Sequence, residues 1–326
     1  MEYRRLGTTD FMVSAMCLGT MQFGWTADKE ASLAILTAAY EAGINFVDTA
    51  DIYSKWVAGN PGGDAETIIG EWLKQGVARR EDLILATKVR GRMWEGPDGD
   101  GLSRAHIQRA AEDSLKRMGI ETIDLYQLHY PDPQIPIEET LEALDGLVRS
   151  GKVRTIGCSN FRASEIVRAL GSSEKSNLAS FVSVQPHYNL VHRQEFESEL
   201  KGVCEQFGLA VLPYSPLGGG FLTGKYTRDH EPPAGSRAAG SQRIRDLMGK
   251  RAAWEALEVI IEMAQARGNS PSQVSLAWLI SRPDVTSPII GPRSLEQLED
   301  NLGATDLKLS QSELQRLEEV SARSGI

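Results

Sequence analysis

The chain has 326 residues, 41% of them hydrophobic and 24% charged, with a formal net charge of -9. Such a composition is globular and long enough for one large core, and an acidic balance without a Lys/Arg block argues against nucleic acid as the main partner. Three cysteines (Cys17, Cys158 and Cys204) show neither metal spacing nor a disulfide framework, and no apolar run reaches the ~18 residues of a membrane helix, so a cytoplasmic protein without a membrane role is expected.

A short N-terminal segment reads as a hairpin, and Ala15 to Gly19 as a first strand. Lys29 to Ala42 is a helix stopped by Gly43, Ile44 to Asp48 a second strand, and Ala65 to Gln75 a second helix. Leu83 to Lys88 is strand three; Ser103 caps a helix that runs to Met118, before Gly119. Ile123 to His129, Val153 to Gly157, Phe181 to Gln185 and Leu209 to Tyr214 are strands four to seven. Between them lie helices over Ile137 to Ser150, Ala163 to Leu170 and Glu195 to Phe207. An insertion from Ser215 to about Gly249 reads as a loop plus a short helix. Two helices follow, Ala252 to Arg267 and Pro271 to Ile280. Ser287 to Ile290 is strand eight, followed by helix Leu295 to Leu302 and an outer amphipathic helix, Gln311 to Ala322.

Eight strand-helix units predict a (β/α)8 TIM barrel over residues 1–326, an α/β fold in one domain, with the hairpin and additional helices outside the barrel. The competing open doubly wound sheet fits less well. The turn from Gly19 to Thr26 holds no G-x-G-x-x-G, and no composition break divides the chain.

Asp48, Tyr53, Lys88 and His129 sit at or just beyond the ends of three of these strands, and barrel strand ends converge on one mouth. Singly, each has a plain alternative: a packed Tyr, a solvated or Schiff-base Lys, a turn His, a helix-capping Asp. Together they fit proton transfer to a carbonyl oxygen. A phenol holds its proton at neutral pH, and a nearby ammonium is expected to lower its pKa. A carboxylate keeps the ammonium charged, and a neutral imidazole donates to the same oxygen. No side chain donates hydride, so a nicotinamide cofactor is implied.

Gly43-Ile44-Asn45-Phe46-Val47-Asp48-Thr49-Ala50-Asp51-Ile52-Tyr53 resembles the G-x-x-x-x-D-T-A-x-x-Y signature of the aldo-keto reductase superfamily. Ala65 to Leu73, Thr87-Lys88 and Leu128-His129 follow in the family's order. The resemblance implies that Tyr53 is the general acid and that His129 assists it. The His129-Tyr130-Pro131-Asp132-Pro133 stretch resembles longer bacterial-type members.

A barrel must hold a dinucleotide by its loops. Ser159, Asn160 and Gln185 can pair with a carboxamide, and the Tyr214 ring can stack on nicotinamide; the family gives matching residues these roles. Ser215-Pro216-Leu217-Gly218-Gly219-Gly220 offers unobstructed backbone amides to a pyrophosphate, and Lys225 adds charge. Gly291-Pro292-Arg293 and the helix carrying Gln297, Asp300 and Asn301 resemble the family's adenosine-phosphate site. Arg293 suits a 2′-phosphate, which favours NADPH (NADP+) over NADH. Arg237 either reaches the adenosine end or is an exposed solubilising charge. The resemblance adds Gly19, Thr20, Met21 and Asp48 to the cofactor set.

Where the family often has Gly soon after the Tyr, this chain has Ser54 and a longer stretch carrying Trp56. Trp25, Trp56, Met93, Trp94 and Tyr130 are candidate pocket walls, suited to apolar or cyclic carbonyls, though Trp also stacks on sugars. The expected activity is NADPH-dependent reduction of an aldehyde or ketone. The alternatives are a redox-sensing NADP(H)-binding subunit, like the potassium-channel β-subunits of this architecture, and a Schiff-base aldolase using Lys88. Substrate, direction and oligomeric state stay open.

Overall fold

The protein is described from a computed structural model, over residues 1–228, 230–233 and 236–322. An antiparallel hairpin opens it, β1 (Tyr3–Arg5) against β2 (Met12–Ser14). Eight parallel strands follow: β3 (Cys17–Gly19), β4 (Phe46–Asp48), β5 (Ile84–Val89), β6 (Ile123–Leu128), β7 (Val153–Ser159), β8 (Phe181–Gln185), β9 (Ala210–Val211) and β10 (Ile289–Ile290). They lie in the order β10-β3-β4-β5-β6-β7-β8-β9. The end strands meet through Ile289 N–H to Pro213 O at 2.8 Å and Thr286 N–H to Val211 O at 2.9 Å, which closes the (β/α)8 barrel.

Inward residues alternate along each strand. Leu6 and Val13 of the hairpin region pack with Cys17, Phe46, Ile84, Ala86, Leu125, Ala210, Leu212 and Ile289, an apolar plug in the lower barrel. Two residues further along β4, β5 and β6 the inward positions are Asp48, Lys88 and Gln127, with Ser159 and Gln185 on β7 and β8. The chemistry therefore occupies the top interior layer. Gly19 is required in that layer's wall: a Cβ there would lie 2.6 Å from Ile289 and 3.0 Å from Ile290 O.

The surrounding helices are α1 (Lys29–Glu41), α2 (Asp64–Lys74), α3 (Arg104–Met118), α4 (Ile137–Arg149), α5 (Ala163–Ser176) and α6 (Lys201–Phe207). Ser103 caps α3, accepting the His106 N–H. Three expectations need correction. Helix α5 continues past Leu170 to Ser176, ended by Asn177 at φ 52. The single helix expected from Glu195 begins instead as a π-helical stretch, Phe196–Leu200. The insertion holds two short helices, α7 (Arg237–Gly240) and α8 (Gln242–Met248), where one was expected. Then come α9 (Arg251–Arg267), α10 (Pro271–Ser281), α11 (Leu295–Leu302) and α12 (Gln311–Ala322).

One buried ion pair ties the helices to the wall behind the site. Glu66 of α2, wholly buried, accepts from Thr87 Oγ1 at 2.5 Å and from Arg117 Nε at 2.6 Å. Burial first, then the Glu66 charge, push the neighbouring Asp51 carboxyl well above its ordinary pKa. Taking away one partner of a buried pair strands the other charge. Arg117→Met should therefore lower unfolding free energy by about 3–5 kcal/mol in urea titrations, with part recovered in the Glu66→Gln/Arg117→Met double variant. A loss below ~1 kcal/mol would mean the pair behaves like a surface one.

Candidate active site

Lys88 ends the inward row of β5 and is fully buried. An ammonium has three donors, and three acceptors meet it: Asp48 Oδ1 at 2.5 Å, Thr49 O at 2.8 Å and the Tyr53 hydroxyl at 3.1 Å. Burial alone would lower its pKa; the Asp48 charge and the Tyr53 oxygen outweigh that and hold it above the ordinary lysine value. Asp48 Oδ2 accepts from Gln127 Nε2 at 2.9 Å and Gln185 Nε2 at 3.0 Å. Gln127 was not among the sequence candidates. It reads there as a polar interruption in an apolar strand, and only the pairing of Lys88 with Gln127 across β5 and β6 places it.

Tyr53 follows a turn whose next residue, Ser54, sits at φ 68 and ties the loop to Phe23 O at 2.5 Å. The phenol accepts from Lys88, so its own O–H is free to donate elsewhere. The expected lowering of its pKa is overturned. Burial raises it first; Lys88 pulls it down, Asp48 pushes it up again, and the balance lies above the ordinary phenol value. His129 faces Tyr53 with ring centroids 6.1 Å apart. Among the described residues its ring nitrogens have no hydrogen-bond partner. Burial, then the Lys88 and Arg90 charges, lower its pKa to about 3, so the imidazole is neutral at physiological pH.

Three of the four expected pocket aromatics gather at this mouth. Trp56 lies 6.3 Å from Tyr53 and 5.5 Å from Trp25, and Tyr130 stacks on His129 at 5.1 Å. Trp94 does not join them: it lies against His106 at 4.8 Å, with the Arg109 guanidinium 4.1 Å from its ring.

On the opposite wall the Tyr214 hydroxyl donates to Asn160 Oδ1 at 2.9 Å. Asn160 Nδ2 donates to Ser159 Oγ at 3.0 Å and His129 O at 2.9 Å. Asn160 (φ 61) and Ser215 (φ 53) take left-handed backbone, strain of the kind that gathers at functional sites. Behind Tyr214 stack His187 at 5.1 Å and, on His187, His192 at 3.9 Å. Burial lowers the His187 pKa to about 2, so this backing is uncharged. His187 was not among the sequence candidates; its place comes from the bridge between His187 and Tyr214. Thr20 is fixed by its N–H and Oγ1 on Asp48 O, at 3.0 and 3.1 Å.

The Ser215 to Gly220 loop departs from expectation. Gly218 and Gly220 turn their N–H groups inward, to Ser215 O and Leu217 O at 2.9 Å each, so the run of amides is not unobstructed. Lys225 folds over it, its ammonium 2.6 Å from where a Gly220 Cβ would lie. Burial, then the charges of Arg293 and Arg237, lower the Lys225 pKa. Arg237 is not simply exposed: it lies 5.9 Å over Trp25, and its charge reaches Tyr53 and Arg293. Gln297 turns its Oε1 back to the Arg293 N–H at 3.1 Å, and Asn301 is buried on the same helix. No carboxylate pairs with Lys225, Arg237 or Arg293 among the described residues. Repelling cations gathered at one site fit a polyanion.

The chain matches the model of the aldo/keto reductase family over residues 15–322, and it belongs to that family. It is 40% identical to "Uncharacterized oxidoreductase YrpG" of Bacillus subtilis, over 98% of this chain and 96% of that protein. It is 34% identical to the L-glyceraldehyde 3-phosphate reductase of Escherichia coli, covering 98% and 92%, and 33% identical to a probable voltage-gated potassium channel subunit beta of Oryza sativa, covering 94% and 92%. The chain is an aldo-keto reductase of the oxidoreductase class, whose general reaction is carbonyl reduction with NAD(P)H.

The depressed His129 pKa carries a stability consequence. Unfolded, an imidazole takes a proton near pH ~6.5; folded, His129 does so only near 3. The unfolded state binds more protons in between, so this contribution is present above pH ~6.5 and lost as pH falls towards 3. His129→Gln should flatten that part of the stability curve in denaturant titrations. An unchanged slope would show that His129 does not supply it.

Proposed function

We propose that this protein reduces an aldehyde or ketone to an alcohol with NADPH, Tyr53 supplying the proton. The observation that carries this reading is the three-way contact at Lys88. It fixes the phenol oxygen as an acceptor on a buried ammonium, which leaves the phenol's own O–H to donate at the mouth shared with His129. Bound NADPH supplies the hydride. The residues do the rest. Neutral His129 offers an N–H to the carbonyl oxygen and sets its position. Tyr53, protonated at neutral pH, gives its proton as negative charge develops on that oxygen. Lys88 then steadies the phenolate, and Asp48 keeps Lys88 charged. The same groups serve alcohol oxidation in reverse.

The cofactor reading rests on the donor set. Lys225, Arg237 and Arg293 suit phosphates, and the exposed Arg293 beside the Ser294 cap of α11 suits a 2′-phosphate, which favours NADPH. Tyr214, backed by His187, presents a ring face for the nicotinamide. Gln185 has spent its Nε2 on Asp48 and Gln127, so its Oε1 is the atom left to accept from a carboxamide N–H. Ser159 and Asn160 complete that contact, with Gly19, Thr20, Met21, Ser215, Pro216, Leu217, Gly219, Gly291, Gln297, Asp300 and Asn301 along the groove. Trp25, Trp56 and Tyr130 wall the substrate space. The chain acts as one domain in the cytoplasm in this reading; among the described residues no helix is long and apolar enough to cross a membrane.

Tyr53→Phe removes the proton and keeps the ring. Turnover of NADPH with a carbonyl panel should fall by about 10²–10⁴-fold, while NADPH binding by fluorescence titration is retained. Retained activity would refute Tyr53 as the acid. The name of the rice relative supports a second reading, an NADP(H)-binding redox-sensing subunit with slow turnover; tight NADPH binding with no measurable reduction of any carbonyl would favour it.

A further inference from the structure

Arg90 stands two residues beyond Lys88, one past the end of β5. Its backbone is at φ 133, a strained value that L residues rarely adopt. The Gly101 N–H holds its carbonyl there at 3.0 Å. Its Nε is buried with no hydrogen-bond partner. Among the described residues its guanidinium makes no ion pair and no hydrogen bond. Outside the cation group of Lys225, Arg237 and Arg293, other part-buried arginines are paired: Arg80 with Asp124, Arg117 with Glu66 and Arg193 with Glu197. Even Arg92, two residues on and exposed, has Asp100 at 2.9 Å. An orphaned buried donor in a native protein calls for a physical reason.

Position supplies one. Arg90 follows Val89, whose carbonyl accepts the His129 N–H at 3.0 Å and which pairs with Leu128 across β5 and β6. Arg90 and His129 therefore leave adjacent strand ends, and the Arg90 charge acts on the imidazole. That imidazole faces Tyr53 on one side and stacks with Tyr130 on the other. The cations suited to cofactor phosphates form a separate group, in which Lys225 responds to Arg293 and Arg237. A chain of net charge -9 repels a small anion on average, so an anionic substrate needs a local cation to offset that field. A guanidinium fork matches both carboxylate and phosphate oxygens in a bidentate way.

We propose that Arg90 is the anion subsite of the substrate pocket, and that the carbonyl compounds reduced here carry a carboxylate or phosphate group. The proposal rests on the reductase reading above, since it assigns the part of the substrate that does not react. Arg90 binds and orients; it takes no part in proton transfer.

Matched substrates test it. With saturating NADPH, kcat/KM should be about 10- to 100-fold higher for 4-carboxybenzaldehyde than for its neutral isostere 4-carbamoylbenzaldehyde, or for glyceraldehyde 3-phosphate than for glyceraldehyde. The two pairs distinguish carboxylate from phosphate. In Arg90→Gln the favoured ratio should collapse to within about 3-fold, mainly through KM, whatever the change common to both partners; Arg90→Lys should keep part of it. Arg90→Gly, which adopts positive φ without strain, should repeat the collapse, separating lost charge from lost folding. No preference for either anion, or a ratio that survives both substitutions, overturns the proposal. If no aldehyde is reduced, the reductase reading fails. The subsite is then judged by calorimetry of benzoate and of inorganic phosphate on the NADP-loaded protein. Binding lost in Arg90→Gln sustains it, and binding that is absent or indifferent to Arg90 overturns it.

Discussion

A wholly buried ammonium is the constraint on which the rest of this site depends. Lys88 lies in the top layer of the barrel interior, where an unpaired charge would cost several kcal/mol. It survives there because each of its three donors has an acceptor within hydrogen-bond distance. Two of those acceptors, Asp48 and Thr49, come from β4 and the turn after it. The third, Tyr53, comes from further along the same turn. The need to satisfy one lysine thus fixes the course of the chain from residue 48 to residue 53. Asp48 is fixed in its turn by two glutamine amides from β6 and β8, which locks the layer across the barrel.

The same arrangement divides charge sharply. Below lies an apolar plug that excludes water. Around the mouth, burial and neighbouring cations keep His129 and His187 neutral. Burial keeps Tyr53 protonated against the pull of Lys88. The lysine's part in the resting enzyme is therefore to position the phenol and limit the rise of its pKa; it does not make an unusually acidic phenol. Beyond the mouth, Lys225, Arg237 and Arg293 form a basic patch on an otherwise acidic protein. That contrast makes this groove attractive to an anion.

Much of this was legible in the residues. Apolar runs ending in Asp48, Lys88 and His129 give strands whose ends converge, and the spacing to Tyr53 is local. What the residues hid depends on register and packing. Gln127 gains its role only when β6 lies beside β5. His187 gains its role from the face of Tyr214 it covers. Arg90 looks like an ordinary charged residue until its buried Nε is seen to lack a partner among the described residues. Trp94 fits the mouth by its position in the chain, yet its loop folds towards α3. The Gly218-Gly219-Gly220 run promises open amides, but a 3₁₀ turn consumes two of them. Helix α5 outruns its apolar pattern because its last turn is polar and solvated.

Lys88 governs the acidity and place of the Tyr53 phenol. Carbon NMR of tyrosine-labelled protein, titrated with pH, tests it most directly. The Tyr53 ring carbon should show its transition above the ordinary phenol range, and Lys88→Met should move it higher still, because the opposing cation is gone. A Tyr53 transition in the neutral range, or one unmoved by Lys88→Met, would contradict it.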